Sequence, residues 1–460
     1  MKLKYIFPII LLPLLSGCFS TEPNDTAYVC AIGIDKGSQD NLDITIQFAK
    51  PTQISGGSSE EGGKGGESIV ENILIEAPDI YSAVNIANHL ISKKFSLSHM
   101  ELIVFSEEIA KEGIEDVMEI VSRSNEMRPD VITAVSQSSA NSYLENLKPI
   151  IDVNPAKYYQ LIFENNDSGG IPKMNGITAM EYLMNDERDI VMPLIGVAKS
   201  NNNEGQDNQQ SDQSEGQEEN NKQQKGQNKV DKATQNDTKN DDLESQNKEK
   251  EKENPIIGDV PINNNGFQYK NRECKAGQVK IINEDKSEAL GMAVFNKNKY
   301  IVSLSGNETD LYNILIGDYK NNYTSFYSPV TPNKPITIIL NQRREPTYKI
   351  DIENKKIKIG LYMEGDFYSL PFNYNKENEV VEFEKSCAAE ISKRCSEFIK
   401  NMRDDYNADV IGLGEKAKKY FAENKSYQEY NWREKFKEYD IEVETKFKIR
   451  HSGIMYRKDK

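Results

Sequence analysis

Hydrophobic and polar positions follow two different periods along this chain, and each period predicts a different kind of element. From residue 42 to residue 48 the alternate positions are Leu, Ile, Ile and Phe, with polar residues between them. A period of two indicates a strand with one buried face. An apolar stretch at 28–34 and turn residues at 37–41 precede this strand, so the sequence predicts a hairpin.

A helical period begins after Asp79, whose carboxylate is a suitable N-cap. Apolar residues then recur on one helical face from 80 to 91. Short apolar runs at 102–105 and 131–135 have the composition of buried strands, and an amphipathic helical segment lies between them. Two such strands separated by helix predict a β–α–β element inside a mixed sheet.

The second half of the chain returns to the period of two. Alternating stretches at 336–340, 348–352 and 357–362 predict antiparallel strands joined by polar turns. Residues 441–449 predict one long, half-buried strand, and 377–403 predicts a long helix. The apolar stripe of that helix comprises Val380, Phe383, Cys387, Ile391, Cys395, Phe398 and Met402. The pattern as a whole predicts an α+β (mixed α/β) protein of about three domains, with mixed and antiparallel sheets packed against helices.

Residues 200–254 show neither period. Their only apolar residues apart from Gly are Val230, Ala233 and Leu243. Such a segment buries too little surface to offset its ordering entropy, which favours a disordered linker over a binding tail. The expected units are a signal peptide at 1–17, a lipidated tether at 18–26, an N-terminal mixed α/β domain at 27–198, a disordered linker at 199–255, a middle α/β domain at 256–335, and a C-terminal antiparallel sheet with long helices at 336–457.

The N-terminal segment has the features of an export signal. Two lysines precede an apolar run at 5–15, which is too short for a membrane-spanning helix of about 20 residues. Residues 15–18 (Leu-Ser-Gly-Cys) match the lipobox of bacterial lipoproteins, in which the thiol, here that of Cys18, takes a diacylglyceryl group and the signal is cut just before it. The alternative is an ordinary secretory signal with a chance Cys. With the lipid, the mature chain begins at Cys18, tethered outside the cytoplasmic membrane by two acyl chains, where one chain gives only marginal binding.

The net charge of the 460-residue chain is −16, and this acidic charge limits the partners that the chain is expected to bind. An acidic balance disfavours nucleic acid and gives no overall electrostatic attraction to anionic lipid, so the expected link to the membrane is the lipid itself. Four further cysteines are scattered along the chain, which excludes a disulfide scaffold. Cys387 and Cys395 fall eight positions apart in one predicted helix, about 12 Å apart and beyond the roughly 7 Å that a disulfide spans.

The sequence contains no constellation of residues typical of an enzyme. His89, His99 and His451 are separated in sequence, and neither an HExxH motif nor a paired-Cys motif brings metal ligands together. The absence of a G-x-S-x-G elbow leaves serine-based hydrolysis without support. The sequence therefore predicts a non-enzymatic protein without cofactor or metal.

Two aspartates remain as candidates, because each lies beside Gly in a predicted turn. For Asp35 and Asp409 the structural interpretation is a side chain that accepts hydrogen bonds from local backbone amides, and the alternative is a ligand role. Gly412 and Gly414 are interpreted as backbone-geometry residues. Trp432 is interpreted as a core anchor rather than an interface hot spot.

Several segments, taken in order, resemble the Ger(x)C family, the lipoprotein C-subunits of spore germinant receptors. The segment 29–36 (VCAIGIDK) is similar to the family's A-I-G-I-D-K, and 407–415 (NADVIGLGE) to its D-A-D-V-F-G-F-G-E. Residues 96–105 match its His-containing loop before an apolar strand, 109–114 the following helix, and 447–453 its terminal strand with an R-x-S-G close. Two features depart from the family: Phe19 stands where a Trp is usual, and the linker is longer.

The resemblance implies a three-domain lipoprotein on the outer face of the spore inner membrane. Its partners would be the bilayer, a polytopic A-type subunit and a transporter-like B-type subunit. Because germinant recognition in that family is attributed mainly to the membrane subunits, the resemblance implies no ligand site here. Two other hypotheses are a solute-binding lipoprotein of an importer, which would need two doubly wound lobes, and a lipoprotein hydrolase, which would need a nucleophile or a metal.

Overall fold

The structure of this chain is a computed structural model. It describes residues 25–50, 69–147, 155–164, 169–185, 187–198, 268–270, 273–279, 286–328, 331–371, 374 and 376–451. The signal segment, Cys18 and the linker at 199–255 lie outside the described residues, so the predictions about them stay predictions.

The described secondary structure alternates strands and helices in the first half and is richer in strands in the second. The strands are β1 Thr26–Lys36, β2 Leu42–Ala49, β3 Val70–Ala77, β4 Lys94–Ser96, β5 Leu102–Ser106, β6 Ile132–Ser136, β7 Val191–Ala198, β8 Gln268–Lys270, β9 Lys286–Asn296, β10 Lys299–Leu304, β11 Asn322–Ser328, β12 Thr331–Asn341, β13 Thr347–Asp351, β14 Lys356–Ser369 and β15 Asp440–His451. The helices are α1 Ile80–Ala87, α2 Glu107–Glu112, α3 Glu115–Arg123, α4 Ala140–Asn146, α5 Pro155–Glu164, α6 Gly176–Met184, α7 Gly306–Ile316, α8 Lys376–Asp404, α9 Leu413–Lys418, α10 Asn424–Tyr430 and α11 Trp432–Lys435.

The first sheet has the strand order β10-β9-β7-β6-β5-β1-β2-β3, with β4 beside β1. Strands β1, β5, β6 and β7 run parallel, whereas β2, β3, β9 and β10 pair antiparallel with their neighbours. The predicted hairpin is confirmed, because β1 and β2 pair antiparallel with Ile34 opposite Ile44. The predicted β–α–β element is also confirmed, since β5 and β6 are parallel and α2 and α3 connect them.

Helices cover both faces of this sheet, and the two faces of β5 illustrate the packing. Leu102 and Val104 pack on one face in a cluster with residues of α4 and α5. Ile103 and Phe105 pack on the other face with residues of α1, α2 and α3. Successive side chains of a strand point to opposite faces, so a strand that is covered on both sides needs an uninterrupted apolar run.

The second sheet has the order β13-β14-β12-β11-β8, with β15 beside β14. The expectation of an antiparallel C-terminal sheet needs a correction, because β15 runs parallel to β14 and the sheet is mixed. A parallel pair requires a long connection, and α8 to α11 supply it. The predicted long helix is confirmed as α8, whose stripe is buried from Phe383 to Met402.

Strands β9 and β10 belong to the first sheet, although the sequence predicts them in the middle domain at 256–335. Strand β9 pairs with β7, and β10 pairs with β9. Helix α7, which begins with a Ser305–Glu308 capping box, is buried along almost all of its length. Asp310 on this helix accepts from the backbone N–H of Gly170, at 2.8 Å, and from Asn322 of β11. One hydrophobic cluster consequently includes residues of both sheets, and the division into three domains stays a prediction.

Among the described residues, no helix has the length and apolar character needed to cross a membrane.

Candidate functional site

Asp35 lies near the end of β1, and its carboxylate binds the start of a helix. One oxygen accepts from the N–H of Ala140 and the other from the N–H of Asn141, both at 2.8 Å. These amides open α4, so the partners are 105 and 106 residues away in sequence, not in a local turn. A carboxylate at a helix N-terminus is favoured by the unpaired amides and by the helix dipole. Burial raises the pKa of Asp35, and the two amides offset part of that rise.

A polar cleft of about 650 Å³ surrounds Asp35 at the carboxyl ends of β1, β5 and β6. Open α/β sheets commonly bind ligands at this edge. Here the amides of α4 that would face an anion are already bonded to Asp35. The nearby cations are also paired, Lys36 with Glu112 and Lys111 with Glu107. Among the described residues that line the cleft, no unpaired cation is therefore left for a phosphate.

Asp409 forms a second, more enclosed centre. Its side chain accepts from the N–H groups of Leu413 at 2.9 Å and Gly414 at 2.7 Å, which lie in the first turn of α9. The indole N–H of Trp432 donates to the same carboxylate at 3.0 Å. Asp409 is 6% exposed, and burial raises the pKa of its carboxyl group. The three donors show how a buried carboxylate is satisfied without a ligand.

A second aspartate, Asp189, links Asp409 to the first sheet. The N–H of Asp409 donates to the Asp189 carboxylate at 2.8 Å, and the N–H of Asp189 donates to the Asp409 carbonyl at 3.0 Å. The other Asp189 oxygen accepts from Arg433 at 2.7 Å and from the N–H of Lys297 at 3.1 Å. Because Asp189 lies two residues before β7, these bonds join the C-terminal loop and α11 to the start of an interior strand of the first sheet. We call Asp189, Asp409, Trp432 and Arg433 the junction cluster.

Arg188 extends the same contact. Its Nε donates to the carbonyl of Val410 at 2.9 Å, and its two terminal nitrogens donate to the hydroxyls of Tyr182 and Tyr312 at 2.9 and 3.0 Å. Tyr312 lies on the buried helix α7, so one guanidinium group connects α6, α7 and the loop before α9. A planar guanidinium can donate to three acceptors in this arrangement, and the ammonium group of a Lys cannot.

The two glycines of this loop have different structural requirements. Gly412 adopts φ +69°, a left-handed conformation that favours glycine. At Gly414 a Cβ would lie 2.6 Å from Trp432 Cδ1 and 2.7 Å from the carbonyl oxygen of Glu187. Gly412 is thus required by backbone conformation, and Gly414 by the close approach of the indole.

A groove of about 890 Å³ opens beside the junction cluster. Its walls include Asn407, Tyr427, Gln428, Trp432 and Arg433. These groups are amides, aromatic rings and a guanidinium that already bonds Asp189. The walls also carry charged side chains, among them Glu187 and Lys418, which pair with each other, and the groove can form hydrogen bonds with a polar segment.

The remaining candidates for chemistry are dispersed. Within the described part of the chain, no group of three or more His, Cys, Asp or Glu side chains is arranged to hold a metal ion. His99 packs edge-on against Tyr28, and His451 contacts Asp366. Burial raises the pKa of Cys30 to about 12, and that of Cys387 is also raised, which keeps both thiols protonated at neutral pH.

Sequence reasoning singled out Asp409 and Trp432 of the junction cluster and missed Asp189 and Arg433. Asp189 and Arg433 lie 220 and 24 residues away from Asp409, and neither occupies a recognisable motif. The available signal was local: Arg188 and Asp189 are charged residues directly before the apolar run at 190–198. Charged residues at the start of a buried strand need hydrogen-bonding or ionic partners, but the sequence does not identify those partners.

Comparison with known families shows two matches. The family described as "Spore germination protein N-terminal domain" matches residues 20–197. The family described as "Spore germination B3/ GerAC like, C-terminal" matches residues 290–453. The second region begins inside β9, so its first strands complete the sheet of the first region.

Individual relatives are more distant. The chain is 29% identical to spore germination protein KC of Bacillus subtilis (strain 168) over 174 residues, which is 37% of this chain and 42% of that protein. It is 28% identical to YfkR of the same organism over 142 residues, 31% of this chain and 37% of that protein. The aligned regions thus span less than half the length of either relative. Among solved structures, "Crystal Structure of the GerBC protein" aligns with a TM-score of 0.47 and 12% identity, covering 91% of this chain and 96% of that one.

Proposed function

The chain belongs to the Ger(x)C family of spore germination proteins, and we propose that it is a lipid-anchored subunit of a spore germinant receptor. The observation that carries this proposal is the pair of family matches at 20–197 and 290–453, one on each side of the linker. Together they include most of the strands of both sheets. The subunit acts in nutrient-triggered germination through contacts with polytopic A-type and B-type membrane subunits.

The anchor in this proposal is a diacylglyceryl group on Cys18. The lipobox at 15–18 lies directly before the first family match, and β1 begins at Thr26. A lipid is the expected attachment because the net charge of −16 gives the chain as a whole no attraction to an anionic surface. The chain then resides on the outer face of the spore inner membrane.

The proposed role is non-enzymatic. What supports it is that the carboxylates of Asp35 and Asp409 already accept hydrogen bonds from backbone amides and, at Asp409, from an indole N–H of the same chain. A general acid or base needs a position from which a substrate proton is within hydrogen-bonding reach. Asp409 is enclosed by its three donors and offers no such position.

The test is purification of the tagged chain from detergent-solubilised spore inner membrane, with a Cys18→Ala variant as the control. The proposal predicts that two multi-span proteins co-purify with the unaltered chain, and that the variant leaves the membrane fraction and fails to support germination. Recovery of the chain alone, or with an ATPase complex, would contradict the proposal. The second of these results would favour a solute-binding lipoprotein of an importer.

A further inference from the structure

One end of the first sheet exposes aliphatic side chains in the last turn of α1 and in the turn that follows it. Ile86, in the last turn of α1, is 42% exposed, and Leu90 is 63% exposed. The turn is ordered by the N–H of Leu90, which donates to the carbonyl of Ala87 at 2.9 Å. Leu90 is thus held outward on a fixed backbone and is not part of the core.

Two lysines accompany these aliphatic groups. Lys94 is exposed and Lys93 half-buried, and neither forms an ion pair within the described residues. Their position contrasts with the strongly acidic character of the whole chain. The acidic groups at this end of the described sheet include Asp25, Glu71, Glu101, Glu126 and Asp130. Glu71 is paired with Lys50 at 3.6 Å, and Glu101 and Asp130 are both paired with Arg128. Glu126 accepts from the N–H of Leu97 at 2.8 Å.

This surface lies at the beginning of β1. Lys94 of β4 pairs with Thr26, the first residue of β1. Only eight residue steps separate Thr26 from Cys18, and a fully extended chain of that length spans at most about 30 Å. The opposite end of β1, at Lys36, lies about 33 Å further along the strand at the usual rise. A lipid on Cys18 therefore keeps the Thr26 end of the sheet, not the Lys36 end, close to the bilayer.

We propose that the turn between α1 and β4 is the surface through which this protein contacts an anionic phospholipid bilayer. Ile86 and Leu90 enter the headgroup region, and Lys93 and Lys94 bind lipid phosphates. Aliphatic groups flanked by lysines suit this interface, because the apolar part is buried at the acyl boundary while the charge stays among the headgroups. The inference rests on the proposed lipid at Cys18.

The contact gives the protein a fixed orientation. With the Thr26 end against the membrane, the Asp35 cleft at the other end of β1 faces away from the bilayer. Two acyl chains alone hold the chain at the surface but leave it free to rotate about its tether. Each lysine near an anionic surface favours the oriented state by about fivefold.

The test compares two labelled variants of the full chain carrying its own lipid, in a Cys274→Ser background. An environment-sensitive fluorophore is attached at Leu90→Cys, and in the control at Leu74→Cys. Leu74 is a matched position, since it is 52% exposed but lines the Asp35 cleft and lies level with Gly33, seven residues along β1 from Thr26. Both proteins are reconstituted into phosphatidylcholine vesicles with 30% phosphatidylglycerol, and flotation of the vesicles is recorded in the same samples.

The proposal predicts a blue-shifted emission and quenching by headgroup-labelled lipid at position 90 and neither effect at position 74. In a Lys93→Gln/Lys94→Gln variant, the ratio of membrane-contacting to free label at position 90 falls by about 25-fold, from about fivefold for each lysine. Equal, water-like emission at both positions in vesicles that carry the protein through flotation would overturn the contact surface and leave the lipid anchor intact. A chain that stays behind when the vesicles float would overturn the anchor, and this inference with it.

Discussion

The Asp35 and Asp409 centres perform a similar task in different surroundings. Each carboxylate accepts two backbone amides from the start of a helix, α4 for Asp35 and α9 for Asp409. Asp35 is half-buried at the edge of a cleft within one sheet. Asp409 is almost fully enclosed and takes a third hydrogen bond from the indole of Trp432.

The difference shows what each carboxylate holds together. Asp35 fixes a helix to a strand of the same sheet, where water can replace a lost bond. The Asp409 carboxylate holds the start of α9 and Trp432 together. The backbone of Asp409 joins the two family regions, because its N–H donates to the Asp189 carboxylate and its carbonyl accepts from the N–H of Asp189, with 189 in the first region and 409 in the second. Buried donors there have no access to water, so a lost acceptor costs more.

The largest effect is expected for Asp409→Ala. This change leaves the N–H groups of Leu413 and Gly414 and the indole N–H of Trp432 without an acceptor. We expect the free energy of unfolding to fall by about 3–5 kcal/mol, measured by urea denaturation. Asp405→Ala, at an exposed position in the same loop, is the control and should change it by less than about 0.5 kcal/mol. Equal effects of the two variants would show that the three hydrogen bonds to the Asp409 carboxylate do not account for the loss.

Gly414→Ala tests the close packing of the same centre. The added Cβ would meet Trp432 Cδ1 at 2.6 Å and a backbone oxygen at 2.7 Å, so the indole must move away from Asp409. We expect a loss of about 2–3 kcal/mol and a changed tryptophan emission, which is readable because the chain has one Trp. Gly412→Ala strains a left-handed backbone and brings a Cβ to 3.0 Å from the flexible side chain of Arg188, and it should cost about 1 kcal/mol. A larger loss at position 412 than at 414 would show that backbone conformation, not the indole, limits this loop.

Asp35→Ala is expected to cost about 1 kcal/mol, because water from the cleft can bond the amides of α4 that the change leaves without an acceptor. The effect should be local: the amides of Ala140 and Asn141 exchange their hydrogens faster, whereas those of α9 do not change. Hydrogen-exchange mass spectrometry of the two peptides measures this. Faster exchange in α9 as well would mean that the two centres are coupled.

The smallest effect is a pH dependence at the enclosed centre. Burial raises the pKa of Asp409 in the folded chain above its unfolded value near 4. The stability linked to this proton is complete below pH 4 and declines as the pH rises toward the folded-state pKa. The difference in unfolding free energy between the unaltered chain and Asp409→Asn should therefore fall with pH above about 4. A difference that grows with pH would show that the amides outweigh burial and lower this pKa.

Local periodicity in the sequence predicted most of the helices and strands. It did not predict which strands pair when they lie far apart in sequence. The hairpin of β1 and β2, the β–α–β element and helix α8 each depend on residues close in sequence, and the apolar pattern identified them. The pairing of β9 with β7 joins segments on opposite sides of the linker, and no local pattern encodes such a partner. The same holds for the parallel direction of β15, which α8 to α11 determine through their path.

The candidate residues show the same limit. The turn chemistry around Asp409 and Gly412 predicted local backbone bonds, and the amides of Leu413 and Gly414 are indeed four and five residues away. For Asp35 the bonded amides lie on α4, across the sheet. Asp189 and Arg433 reach the junction cluster through tertiary contacts alone, so sequence reasoning found neither.

Both proposals about function depend on the lipid at Cys18, and the mass of the N-terminal peptide tests it most directly. The chain would be isolated from spore inner membrane, digested and analysed by mass spectrometry, with the Cys18→Ala variant processed in parallel. The account predicts a mature chain that begins at Cys18 and carries a diacylglyceryl group, together with its absence from the variant. An N-terminus elsewhere, or an unmodified Cys18 thiol in a membrane-bound chain, would contradict it.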